Sequence, residues 1–155
     1  MTDRCVTHGT FVVERRYQAP PAAVFEAWAD AAAKQVWMDD PDFKSDGTEY
    51  SLDFQIGGHE RFGGLLPDGQ SYRYDAQYYD IVPDQRIVYS YEMYGGQERT
   101  SVSLTTVEIA GEAGGTKLTY TEQGAFLDGI DKPEEREHGV GFILDGLGSY
   151  LASRG

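Results

Sequence analysis

This chain is short of cysteine, of histidine and above all of positive charge. Cys5 stands alone among 155 residues, so no internal disulfide can staple the fold, and a reducing compartment suits the chain better than secretion. Thirteen Lys and Arg face 26 Asp and Glu, leaving a net charge of -13. A surface that acidic repels phosphate backbones and anionic lipid, which argues against nucleic acid and membrane as partners. No apolar run approaches the roughly 18 residues of a membrane span, and Met1 to Thr10 carries no apolar stretch of signal length. The expectation is a soluble cytoplasmic protein of one domain over residues 1–155, with residues 1–9 as a flexible tail.

The familiar signatures of covalent and nucleotide chemistry are missing too. There is no Gly-x-Ser-x-Gly elbow, and Cys5 sits in the expected tail. The glycine pairs beginning at Gly57, Gly63, Gly95 and Gly114 fall in or between antiparallel strands, so none opens a helix as a phosphate loop does. Glu134, Glu135, Glu137 and His138 crowd a helix start, where carboxylates favour the dipole; His8 and His59 add no metal-ligand spacing. No catalytic residue, metal or cofactor is assigned on these grounds.

What is present is a clear alternation of patterns. The last stretch, Lys132 to Arg154, opens with Pro133-Glu134-Glu135 and places Val140, Ile143, Leu144, Leu147 and Leu151 on one helical stripe. Gly139, Gly141, Gly146 and Gly148 flank that stripe, each costing about 1 kcal/mol against alanine. Such a helix is either pressed closely on a curved surface, left with room beside it for a ligand, or held only by tertiary packing. If room is the reason, extra volume should lie along Gly139 to Gly148.

Upstream, Phe11 to Gln18 reads as a strand with Phe11, Val13 and Arg15 on one face. Ala19-Pro20-Pro21 starts a short helix over Pro21 to Ala29, and Asp30 can cap a second, Ala31 to Met38, burying Val36 and Trp37 and stopped by Asp39-Asp40-Pro41-Asp42. From Thr48 to Gly124 strands and turns follow one another. Tyr50, Leu52, Phe54 and Ile56 alternate before Gly57-Gly58; Tyr72, Tyr74, Ala76 and Tyr78 alternate on a later strand, and Ile87, Tyr89, Tyr91 and Met93 on the next. In the following strand Val102 and Leu104 have one parity and Val107 and Ile109 the other, which suggests a β-bulge at Thr105-Thr106. Short turns make all neighbours antiparallel, and the terminal helix is the long apolar element available to cover the sheet. The predicted fold is α+β, a curled antiparallel sheet of six or seven strands gripping a long C-terminal helix, with two short helices after the first strand.

Eleven tyrosines, many at alternating strand positions, offer apolar rings with polar tips. Tyrosine is also an ordinary residue of half-buried sheets, and parity alone does not say which face looks inward. His59 and Arg61 share one parity and could hold a carboxylate or phenolate if that face were inward. With Asp75 and Glu122 they are the groups to inspect for acid–base chemistry.

Several strings, in this order, resemble a known superfamily. Ala19-Pro20-Pro21 with Val24-Phe25, Ala27-Trp28 and Trp37 is similar to its first strand and helix pair. Asp53-Phe54-Gln55-Ile56-Gly57-Gly58 is similar to its Asp-x-Arg-x-Gly-Gly turn, with Gln55 in place of arginine. Tyr78 to Tyr89 and Gly114-Gly115-Thr116-Lys117-Leu118-Thr119 resemble its later strand pair and hairpin. Gly139-Val140 stands where many members carry Gly-Trp. The superfamily is the helix-grip (SRPBCC, START-like) group of START domains, Bet v 1-like allergens and polyketide cyclases. Within it the nearest resemblance is to bacterial proteins similar to the C-terminal domain of the activator of the Hsp90 ATPase. The resemblance implies a cavity between sheet and helix for a small hydrophobic molecule, aromatic, lipid- or polyketide-like. The residues expected to line it are Trp37, His59, Arg61, Tyr74, Tyr78, Tyr89, Tyr91, Tyr120, Val140 and Leu144. Two alternatives belong with it, a cyclase, dehydratase or hydrolase in the same cavity and a regulator of an Hsp90-type chaperone; a homodimer is a further possibility.

Overall fold

The computed structural model describes residues 4–40 and 50–154. The expected start of a strand at Thr48 and the Pro41-Asp42 helix stop lie outside the described residues. Seven strands form one antiparallel sheet: β1 (Val6–Tyr17), β2 (Ser51–Leu52), β3 (His59–Leu65), β4 (Ser71–Val82), β5 (Arg86–Gly95), β6 (Glu98–Glu112) and β7 (Gly115–Leu127). Their order across the sheet is β1-β7-β6-β5-β4-β3-β2. Helices α1 (Pro21–Ala29) and α2 (Ala31–Trp37) follow β1, and α3 (Pro133–Arg154) ends the chain. The fold class read from the sequence is the one observed.

Local chemistry explains most of the boundaries. Pro21 occupies the first turn of α1, where its missing N–H has no partner to lose. Asp30 leaves helical geometry between α1 and α2 and so divides them, although its side chain makes no cap hydrogen bond. The alternation of Tyr74, Ala76 and Tyr78 on β4 and of Ile87, Tyr89 and Tyr91 on β5 puts all six on the buried face. Against them pack Trp28, Trp37 and the Leu144, Leu147, Leu151 stripe of α3.

Four local expectations fail. The strand begins at Val6, paired with Leu127, so residues 6–9 belong to β1 and not to a tail. The stretch from Tyr50 to Ile56 is a strand only at Ser51–Leu52; Asp53 to Gly58 is a turn, closed by Asp53 N–H donating to the His59 carbonyl at 2.8 Å. On α2, Val36 is 62% exposed and Lys34 is buried in its place, beside Glu60 and the Trp28 ring. No bulge interrupts β6 at Thr105-Thr106: its pairing with β7 runs unbroken from Ser101 to Glu112, and the irregularities lie at Tyr78/Asp80 and Met93/Tyr94. Ser101, Ser103 and Thr105 face inward while Val102 and Leu104 face out. Polar residues look into the sheet there because buried charges await them.

Candidate functional site

Helix α3 does not lie centrally over the sheet. Its second half leans on β1, where the Tyr17 hydroxyl donates to the Leu144 carbonyl at 2.8 Å and Arg15 pairs with Asp145 at 2.7 Å. Between the first half of α3, the end of α2 and the inner face of β3 to β6 remains a cavity of about 580 Å³. Such a volume is ordinary for small-molecule sites. Its walls carry Tyr50, Phe62, Tyr72, Tyr74, Tyr91, Tyr94 and Tyr120, with Met38, Met93, Val140 and Ile143. Phe62, Tyr74 and Tyr91 form a stack, with ring centroids 4.5 and 5.0 Å apart.

Two buried ionic clusters border the cavity. In the first, Lys34 Nζ from α2 donates to both oxygens of Glu60 on β3, at 2.8 and 3.0 Å, and to the Tyr78 hydroxyl at 3.2 Å. Tyr50 and Tyr78 each donate to the Glu60 carboxylate, and the ammonium lies 5.0 Å from the Trp28 ring centre. Lys34 is 1% exposed and Glu60 fully buried. Removing either partner would strand the other charge, at about 3–5 kcal/mol.

In the second cluster Glu122 of β7 is fully buried and fully engaged. Tyr91 and Tyr120 donate to Oε1 at 2.7 and 3.0 Å; Ser103 and Arg136 donate to Oε2 at 2.7 and 3.3 Å. Arg136, from the first turn of α3, also donates to Tyr91 at 2.8 Å, Ser101 at 2.9 Å and Asp131 at 3.1 Å. Burial opposes its charge, but Tyr91, Glu122 and Asp131 outweigh burial and hold its pKa above the ordinary value. This network explains why serines occupy the inner face of β6.

Burial raises the pKa of the tyrosines in the cavity walls and in the core behind them. It is the first cause at Tyr50, Tyr74, Tyr78, Tyr89, Tyr91 and Tyr120, and a neighbouring carboxylate adds to it at Tyr50 and Tyr78 through Glu60. All therefore remain neutral phenols at ordinary pH.

The comparisons with known proteins agree with this geometry. Residues 18–152 match the family described as activator of Hsp90 ATPase homolog 1-like protein. The chain belongs to that family. A structure from Rhizobium leguminosarum is similar at 44% identity and TM-score 0.91, covering 98% of this chain and 99% of that one. A Rhizobium loti protein is similar at 48% identity and TM-score 0.86, with coverage of 95% and 99%. A Chromobacterium violaceum protein, at 23% identity and TM-score 0.71 over 92% of this chain and 97% of its own, shares the fold. No curated protein matches the chain.

Within this family frame the ten expected lining residues divide. Tyr74, Tyr91, Tyr120 and Val140 line the cavity. Tyr78, Tyr89, Trp37 and Leu144 are buried in the core beside it, where the Trp37 indole donates to the Ala27 carbonyl at 2.8 Å. His59 and Arg61 lie on the opposite face of the sheet, near Asp75 at 3.6 and 3.3 Å, because the inward parity of β3 belongs to Glu60. Of the four groups singled out for acid–base chemistry, only Glu122 is on the inner side, and its oxygens are occupied.

Lys34, Glu60, Tyr50 and Arg136 were missed. One signal was available for Arg136, a lone arginine among Glu134, Glu135 and Glu137 in the first turns of a helix whose start favours acids. For Lys34 and Glu60 nothing local marks burial, since each sits in an unremarkable polar position.

The glycines of α3 also divide. A Cβ on Gly146 would stand 2.6 Å from the Trp37 carbonyl oxygen, and on Gly148 3.3 Å from the Tyr17 ring. On Gly139, which borders the cavity, it would meet nothing within 4 Å. The expectation of extra volume along Gly139 to Gly148 therefore holds over its first turn, where Gly139, Val140 and Ile143 border the cavity; Gly146 and Gly148 are there for close approach.

Proposed function

We propose that this protein binds a small hydrophobic molecule, aromatic or polyketide-like in shape, in the cavity between the sheet and the first half of α3. The observation that carries this is the aromatic-walled volume of about 580 Å³ left open where α3 departs from the sheet. Burial of apolar ligand surface there would contribute about 25 cal/mol per Å². The stacked Phe62, Tyr74 and Tyr91 rings favour a flat ligand over a flexible chain. The two ionic clusters brace the walls, since their hydrogen-bonding groups are turned on one another.

Native mass spectrometry of the purified protein tests the reading. A retained small molecule, lost in a Val140→Trp variant that still folds, would support it. Uniformly ligand-free protein that also fails to take up hydrophobic probes would end it. A second reading, association with an Hsp90-type chaperone, is favoured by the family match and by the acidic surface. It predicts complex formation with a purified Hsp90-type chaperone at micromolar concentration, and independent sedimentation of the two proteins would dispose of it.

A further inference from the structure

We infer that the cavity selects uncharged ligands carrying a hydrogen-bonding oxygen, and that Tyr74 is the residue that recognises that oxygen. This rests on the reading that the cavity takes a small hydrophobic molecule, and it states which kind.

Tyr74 is 7% exposed and lines the cavity. Its ring is fixed between Phe62 and Tyr91, at interplanar angles of 17° and 28°. Among the described residues no hydrogen bond reaches its hydroxyl. The polar side-chain atoms that are both sealed and without a partner are Trp28 Nε1, His59 Nδ1 and Thr105 Oγ1. The Tyr74 hydroxyl is not one of them, so it borders open space, and the cavity is the space it lines. A buried phenol without a protein partner is satisfied only by what enters beside it. Burial keeps it protonated, so an O–H is available to donate to a carbonyl or ether oxygen.

The charged groups around the cavity argue against an anionic ligand. The Lys34 ammonium directs its hydrogen bonds to Glu60 and Tyr78. Both terminal nitrogens of Arg136 are engaged, by Tyr91 and Glu122 on one side and Ser101 and Asp131 on the other. A ligand carboxylate would have to break one of these pairs and leave a protein carboxylate uncompensated. Asp39, Asp131 and Glu135 also outnumber Lys132 among the lining residues nearer the mouth. With a net charge of -13 for the whole chain, an approaching anion is repelled before it arrives.

Titration calorimetry on the full chain with four naphthalene probes of similar size tests this: acetylnaphthalene, its isostere isopropenylnaphthalene, naphthoate and naphthylmethylammonium. Acetylnaphthalene is expected to bind at least about tenfold more tightly than naphthoate or the ammonium, since naphthoate meets no free cation and the ammonium loses its hydration among walls whose inner carboxylates, Glu60 and Glu122, are already paired. Tyr74→Phe should weaken acetylnaphthalene about five- to tenfold and leave isopropenylnaphthalene within about twofold, the effect of one hydrogen bond. Tightest binding by either charged probe overturns the inference, as does a Tyr74→Phe variant that affects both neutral probes alike. Should the variant fail to fold, the ranking of the four probes on the unaltered protein decides. If isopropenylnaphthalene binds but the head groups make no difference, this inference fails and the cavity reading stands. If no probe binds, both fall.

Discussion

The two halves of α3 use the same residue type for opposite ends. In the second half Gly146 and Gly148 let the helix backbone approach Trp37 and Tyr17, and Leu147 and Leu151 complete an apolar core. In the first half Gly139 faces open volume, and the helix is held by Arg136 reaching across to Glu122, Tyr91 and Ser101. One half is anchored by packing, the other by a polar network beside a cavity. Glycine in a helix thus marks contact in one place and absence of contact in another, and only the neighbour distinguishes them.

The largest expected effects test the two anchors. Glu122→Ala should destabilise the protein by about 3–5 kcal/mol, because it removes the buried carboxylate that Arg136, Tyr91, Tyr120 and Ser103 share and leaves Arg136 only the more exposed Asp131. Leu147→Ala should cost about 2–5 kcal/mol through lost burial and a cavity. Denaturant melts of both variants measure this, and a Glu122→Ala cost under about 1 kcal/mol would mean that the first half is not held by the network.

Alkaline pH offers a related measure of how the cavity walls are held. The wall phenols have folded-state pKa values raised above the ordinary one, chiefly by burial. Above about pH 10 the unfolded chain releases their protons while the folded protein retains them. Their contribution is therefore fully present below that pH and falls above it, by about 1.4 kcal/mol per pH unit for each tyrosine. Stability measured against pH should drop steeply from there, with tyrosine ionisation seen by ultraviolet absorbance coinciding with unfolding. Phenols that titrate near pH 10 in the still-folded protein would contradict the buried walls.

Gly146→Ala is expected to destabilise by about 1–3 kcal/mol, since its Cβ must push the Trp37 carbonyl away. Val140→Trp should leave the melting temperature nearly unchanged while abolishing or weakening uptake of a neutral naphthalene probe. If it unfolds the protein, the space beside Val140 is packing rather than a site. The smallest effect has the opposite sign: Gly139→Ala should stabilise by up to about 1 kcal/mol, the helix-propensity gain with nothing to strike. Equal signs for Gly139→Ala and Gly146→Ala in thermal melts would erase the distinction between the two halves.

How far the sequence reached can be traced through particular residues. Tyr74, Tyr91, Tyr120 and Val140 were legible as candidates because alternation and helical period mark which residues share a face. Three of the misses, at Lys34, Glu60 and the β6 serines, have one origin. Each is a polar residue whose burial depends on a partner far along the chain, 26 residues away for Lys34 and Glu60. Apolar patterning assumes polar means outward, so it assigned Val36 to the interior and read the parity change between Val102, Leu104 and Val107, Ile109 as a bulge, whereas Val36, Val102 and Leu104 are exposed. His59 and Arg61 were placed by chemistry alone, and the parity of Glu60 turned them away.

By itself the sequence determined the order of elements, both short helices, which residues of β4 and β5 share a face, and the family, because these follow from local periodicity, proline and glycine punctuation and short strings. The tertiary structure alone decided that α3 leans toward β1, that two buried ion pairs border a cavity, and that among the described residues Tyr74 has no hydrogen-bond partner inside it. Those outcomes depend on distances between residues remote in the chain, and pairing of buried charge leaves no local pattern by which to read it.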